Sequence, residues 1–319
     1  MISNKAKPDW AGDDFLSWIV NLLIQTPPLY KIMQHQARRI FIKTAEKNGI
    51  SWRKTYQDLE NSPAKSLIDE ITNPNISYPS YYQVPFHAYD AGNLCWEAAF
   101  EAPSATRSMA LRVWKDEKIT WQTAENRLRS SFHQILGEYS PPIVKDILDI
   151  GCSVGLSTLP LHRYYTEKQN NPVRTVGLDL SPYMLAVAKI IDEKQEIFQW
   201  IHGLAENTNL PDSCFDVVTL QFVLHELPNN ATREILQEAL RILRPGGCLG
   251  IVDNNPASPV IQNMPPALFL LMKSTEPWSD EYYTFNVENT LQEIGFNYQT
   301  TVASDHRHRT IIALKPDGK

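Results

Sequence analysis

Cysteine is scarce in this chain: four residues, at 95, 152, 214 and 248 of 319, with no C-x-x-C spacing. That argues against a disulfide framework or a zinc site and fits small buried residues in a reducing compartment. Long apolar runs are lacking too. The most apolar stretch, 15–24, is ten residues long, where a bilayer-spanning helix needs roughly 20. Residues 1–14 are polar and do not read as a secretory leader. A cytoplasmic protein without a transmembrane segment is expected, with peripheral membrane contact left open. Basic charge is not in excess: 30 Lys and Arg stand against 36 Asp and Glu, a net −6. No nucleic-acid partner is therefore expected. Short tracts such as Ala37-Arg38-Arg39 and His306-Arg307-His308-Arg309 read as solvated faces. No internal repeat, low-complexity segment or metal-ligating spacing stands out.

What is present centres on residues 144–161, VKDILDIGCSVGLSTLPL. An apolar run ending in Asp149 and Ile150 feeds a small-residue loop, Gly151-Cys152-Ser153-Val154-Gly155, and a helical pattern follows from Leu156. Strand, glycine loop and helix together form the mononucleotide-binding half of a doubly wound sheet. The glycines let backbone approach a ligand, and the helix start offers free N–H groups. The loop also spells G-x-S-x-G, the nucleophile elbow of hydrolases. A second apolar run, Val176-Gly177-Leu178-Asp179, ends in an acid able to hold two ribose hydroxyls. A dehydrogenase reading is weakened because Ser153 stands where a middle glycine would bring a pyrophosphate close.

Five stretches in order, DIGCSVG, GLDLS, LPDSCFDVV, LHELP and LRPGG, resemble the class I S-adenosylmethionine-dependent methyltransferases, the type-11 group especially, over residues 136–319. The resemblance implies an α/β fold: a doubly wound, mostly parallel seven-stranded sheet of order 3-2-1-4-5-7-6, with the last inserted strand antiparallel. It implies S-adenosylmethionine as cofactor, S-adenosylhomocysteine as product, and no metal. Gly151, Ser153 and Gly155 would lie under the methionine part of the cofactor, with the Gly151 and Gln221 carbonyls accepting from its ammonium. Asp149 would act nearby, directly or through water. Asp179 would take the ribose, and Leu180 and Met184 would cover the adenine. Relatives often carry an aspartate where Leu204 stands, so the adenine amine falls to the Ala205 N–H region or to Glu206.

The rest of the chain reads as two parts, a helical cap over 1–117 and a cofactor-binding core over 118–319. Asp13 or Asp14 can cap a helix through Ile24, and further helices are expected over 29–47 and near 51–60. Segment 78–96 packs Tyr78, Tyr81, Tyr82, Phe86, His87, Tyr89 and Trp96 around prolines 79 and 85. Such an irregular aromatic segment beside a cofactor domain lines a pocket or glues cap to core. A helix is expected from about 91 or 93 to 115, with a possible break at Pro103, and another over 120–136. Alternating elements follow: strand 144–150, helix 155–165, strand 173–179, helix 182–194, strand 197–202, strand 215–221, helix 230–243 and strand 247–253. A partly helical stretch, 254–277, precedes a helix ending at Ile294 and a final hairpin.

A sulfonium methyl is already activated, so alignment and desolvation supply much of the rate. If the acceptor must lose a proton, the candidate bases are His225, His87, Tyr82, Tyr89 and Glu276. The expected activity is methyl transfer to an apolar or aromatic small molecule. Methylation of a lysine side chain on a protein is the alternative, mildly favoured by the acids at 276–281. A cofactor-binding scaffold or sensor without turnover is the third reading.

Overall fold

The computed structural model describes residues 15–317. The proposed Asp13 or Asp14 cap falls outside them. Seven strands form one sheet: β1 (Asp146–Ile150), β2 (Arg174–Asp179), β3 (Gln199–His202), β4 (Phe215–Gln221), β5 (Leu243–Asn254), β6 (Asn297–Ala303) and β7 (His308–Leu314). Their order is β3-β2-β1-β4-β5-β7-β6, as the resemblance implies. β1 to β5 are parallel, and β7 inserts antiparallel between β5 and β6. β1 and β4 lie inside the sheet with helices on both faces, so their sequences are near-continuous apolar runs rather than alternating ones. Strand order reverses between β1 and β4, where the carboxyl ends open a crevice.

Among the boundaries that differ from expectation, such as β5 beginning at Leu243 rather than 247, two have clear local reasons. The helix after β1 begins at Thr158, not 155. Gly151, Ser153 and Gly155 all take left-handed conformations, at φ 69°, 49° and 78°, and these delay helical winding. The helix at Trp96–Val113 runs unbroken through Pro103, and residues 91–95 remain turns. Proline forfeits one hydrogen bond there, but Phe100, Pro103 and Ser104 are all buried, so tertiary packing holds the helix. Thr120 caps the next helix, Trp121–Tyr139, by accepting from the Thr123 N–H.

Cap and sheet share their packing. Leu59, Ala64, Ala98, Ala99 and Phe100 form one buried cluster with Val154, Met184 and Val187. Helix Trp121–Tyr139 buries Phe132 and Leu136 against β1, β4, β5 and β7 residues. The helices over Phe15–Ile24 and Pro27–Lys47 lie outermost; the first rests on Pro266–Lys273.

Gly155 is doubly constrained: its φ is 78°, and a Cβ there would meet the Trp200 ring at 2.6 Å. Gly155→Ala should therefore cost about 1–3 kcal/mol. Urea unfolding checks this, and an unchanged midpoint would show that the loop does not need glycine there.

Candidate active site

Above the carboxyl ends of β1, β2 and β4 lies a cavity of about 1640 Å³. Single drug-sized ligands occupy roughly 300–1,000 Å³, so it has room for a cofactor and an acceptor together. Gly151, Ser153, Asp179, Leu180, Met184, Ala205, Glu206 and Gln221 all line it. So do Tyr82, His87, Tyr89, His225 and Glu276.

 Thirteen of the fifteen expected site residues therefore line the cavity, and Gly155 and Asp149 do not. Gly155 packs beneath the loop against Trp200. Asp149 is 1% exposed and points into the protein, accepting from Thr158 Oγ1 (2.7 Å), Thr219 Oγ1 (2.6 Å) and Gln221 Nε2 (3.2 Å). Burial raises its pKa, and those donors oppose the rise.

Around the switch point, several buried polar atoms have lone pairs or protons left over. Asp179 accepts the Ser153 N–H (2.7 Å) on one oxygen and the Ser181 N–H (2.8 Å) on the other. Each oxygen keeps a further lone pair. Burial pushes its pKa up to about 6, against those N–H groups. Gln221 donates to Asp149, which leaves its buried Oε1 without a protein partner. Glu206 accepts from the Tyr81 hydroxyl on Oε1, and its buried Oε2 is likewise unpartnered. Arg129, on helix Trp121–Tyr139, lines the cavity while buried, and its Nε and Nη1 have no partner. It was not singled out from the sequence, where it is one charged residue on an amphipathic helix.

The other end of the cavity is aromatic and acidic. His225 Nδ1 meets Asp253 Oδ1 at 2.8 Å, and Asp253 also accepts the His225 backbone N–H. Burial works against the imidazolium, but Asp253, then Glu276 and Glu226, outweigh it and push the His225 pKa up to about 10. Glu226, the next residue, was also missed. Burial first, partly offset by His225, and then Glu276 and Asp179 raise its pKa to about 7. His87 lies 3.8 Å from Glu276. Its side chain is 42% exposed along the cavity wall, and the surrounding protein together with the charge on His225 lowers its pKa. Tyr82 stacks on Tyr78, with ring centres 6.4 Å apart, and burial holds its phenol protonated. The Tyr89 hydroxyl is committed to buried Glu101 (2.6 Å), which also holds Arg38 and Trp52 Nε1. Of the acids at 276–281, only Glu276 lines the cavity: Asp280 pairs with Lys273, and Glu281 accepts the Asn229 N–H.

Residues 148–251 match a family model described as a methyltransferase domain. Over this stretch, which runs from β1 into β5, the core is similar to methyltransferase domains, and its sheet order and glycine loop are those that the resemblance to the class I S-adenosylmethionine-dependent enzymes implies. A demethylmenaquinone methyltransferase of Bacillus licheniformis is 34% identical over 100 residues, covering 31% of this chain and 40% of the relative. An uncharacterized methyltransferase of Synechocystis is 30% identical over 146 residues, covering 46% of this chain and 64% of the relative. The chain thus spans between two fifths and two thirds of the length of these relatives. A solved S-adenosylmethionine-dependent methyltransferase from Aquifex aeolicus is similar at 18% identity and a TM-score of 0.45, over 65% of this chain and 98% of that one.

The His225–Asp253 pair predicts a titration. His225 should carry its proton at neutral pH and lose it only near pH 10, and Asp253→Asn should return it towards the ordinary histidine value of 6.5. Because the folded value is the raised one, the pair's stabilisation is complete below about pH 6.5 and is lost as pH rises through about 10. Imidazole nitrogen shifts by NMR check this; a neutral His225 at pH 7 would contradict it.

Proposed function

We propose that this chain transfers the methyl group of S-adenosylmethionine to an apolar aromatic hydroxyl compound of the hydroquinone type. The observation that carries this reading is the pairing of two ends in one cavity: unpartnered polar groups that match the cofactor, and an aromatic chamber holding a carboxyl poised near neutrality. Asp179 would accept the ribose hydroxyls. Gln221 Oε1 would accept from the ammonium, and Arg129 would meet the carboxylate beside it. Glu206 Oε2, rather than an aspartate at position 204, would accept from the adenine amine, with Tyr81 holding its other oxygen in place. Leu180 and Met184 supply apolar surface for the base.

The bound cofactor supplies an electrophilic methyl on a sulfonium. The chain's own task is to prepare the acceptor. Glu226, with a pKa of about 7, is suited to take a phenolic proton at neutral pH. His225, held protonated by Asp253, is suited to stabilise the resulting oxyanion rather than to act as the base. Tyr82, His87 and Glu276 line the chamber and position the ring. The relatives named demethylmenaquinone methyltransferase support a quinone-type acceptor over a lysine side chain.

Three outcomes test this reading. Calorimetry on metal-free protein should show cofactor binding, and Asp179→Ala should weaken it by about 1.5–3 kcal/mol. Binding should also weaken as pH falls through about 6, where Asp179 is protonated, by up to about tenfold per unit; a flat profile would place the ribose elsewhere. Methyl transfer to a naphthohydroquinone should rise through about pH 7, and Glu226→Gln should remove that limb and lower kcat about 10²- to 10⁴-fold with cofactor affinity intact. Label appearing in lysate protein, and none in small aromatic acceptors, would instead favour the lysine reading.

A further inference from the structure

The outermost helix, Phe15–Ile24, presents its apolar side to solvent. It carries no charged residue, and Phe15, Trp18 and Leu22 are 75%, 59% and 50% exposed, while Ser17 faces inwards. A surface helix ordinarily does the reverse. The next helix, Pro27–Lys47, continues the surface as a stripe along one side: Leu29 and Ile32 near its start, then Arg39, Ile40, Lys43 and Lys47, all exposed. Arg39, Lys43 and Lys47 form no ion pair with any described residue. Residues 15–47 hold five basic residues and one acidic one, whereas the whole chain is at −6. Positive charge is thus segregated beside the apolar face.

This surface adjoins the cavity mouth. Helix Phe15–Ile24 packs on Pro266–Lys273, and Tyr30 donates to the Ser274 carbonyl (2.9 Å) at the end of that helix. Leu268 on that helix and nearby Val260 are 52% and 44% exposed, and both line the cavity.

We propose that the hairpin of residues 15–47 docks on an anionic lipid bilayer, setting the cavity mouth at the membrane interface. Aromatic and aliphatic side chains on an uncharged helix suit the boundary between headgroups and acyl chains, and the cationic stripe suits anionic headgroups. The acidic remainder of the chain is repelled by the same surface, which orients the molecule hairpin first. A second copy fits less well: a self-complementary contact on this patch would set each cationic stripe near its own equivalent.

Flotation of the full chain tests the proposal. Vesicles of phosphatidylcholine with phosphatidylglycerol should carry the protein upward, and vesicles of phosphatidylcholine alone should carry much less. Trp18→Asp with Leu22→Asp should lower flotation about tenfold or more. Arg39→Glu with Lys43→Glu should lower flotation about tenfold and abolish the preference for anionic vesicles. None of these four residues lines the cavity, so both variants should keep wild-type cofactor affinity, which also reports that they fold. The assay needs neither cofactor nor acceptor, so its outcome stands apart from the chemistry proposed above. No flotation with anionic vesicles, or flotation indifferent to both variants, overturns the proposal. So does a dimer, seen by sedimentation, that Trp18→Asp with Leu22→Asp dissolves, since it assigns the patch to a second copy.

Discussion

A buried carboxylate with three side-chain donors organises the sheet's carboxyl edge. Asp149 ends β1 and takes hydrogen bonds from Thr158, Thr219 and Gln221. These donors come from the helix after the glycine loop, from the body of β4 and from its last residue. One buried acceptor therefore fixes the loop, the helix start and the end of β4 relative to one another. A lone buried carboxylate is costly, and each donor offsets part of that cost. The bond to Gln221 has a second consequence: with its Nε2 occupied, the amide keeps a buried Oε1 without a protein partner.

The two ends of the cavity differ in how they handle charge. At the switch point, Asp179 is held by a backbone N–H group on each oxygen, which fixes its position. At the other end, Asp253, Glu226 and Glu276 crowd around one imidazole. Asp253 takes the direct contact and stays low, because His225 answers its charge. Glu226 feels burial and the remaining acids, and rises to about 7. Two neighbouring acids are thus driven apart in acidity by which of them touches His225, the pattern that separates acid and base roles in active sites.

Most of the sheet could be read from sequence because it is written locally. Interior strands are continuous apolar runs, the glycine loop has few alternatives, and residues at strand ends fall at the switch point once strand order is known. Arg129 and Glu226 carry no such signal. An arginine on an amphipathic helix looks solvated until tertiary packing buries it, and Glu226 looks like a helix-start acid until Asp253 claims its neighbour. The aromatic segment 78–96 could be placed near the pocket, but not its hydroxyls: Tyr81 turns to Glu206 and Tyr89 to Glu101, partners 125 and 12 residues away. The loop-to-helix boundary slipped by three residues because the left-handed conformations at Gly151, Ser153 and Gly155 are a property of backbone geometry, not of apolar periodicity.

The aromatic end of the cavity joins His225 and Glu226, which follow β4, to the 80–89 stretch and the helices between β5 and β6. Tyr30 reaches Ser274, and the His87 N–H reaches the Thr275 carbonyl at 2.9 Å, with His87 and Ala88 both at positive φ. The sheet beneath has continuous ladders and a shared core. Helix Pro266–Lys273 lines the cavity through Leu268 and also contacts helix Phe15–Ile24, which carries the exposed apolar surface. Whatever grips that outer surface therefore acts on the mouth directly, through Pro266–Lys273, and leaves Asp149, Asp179 and the glycine loop where the sheet holds them.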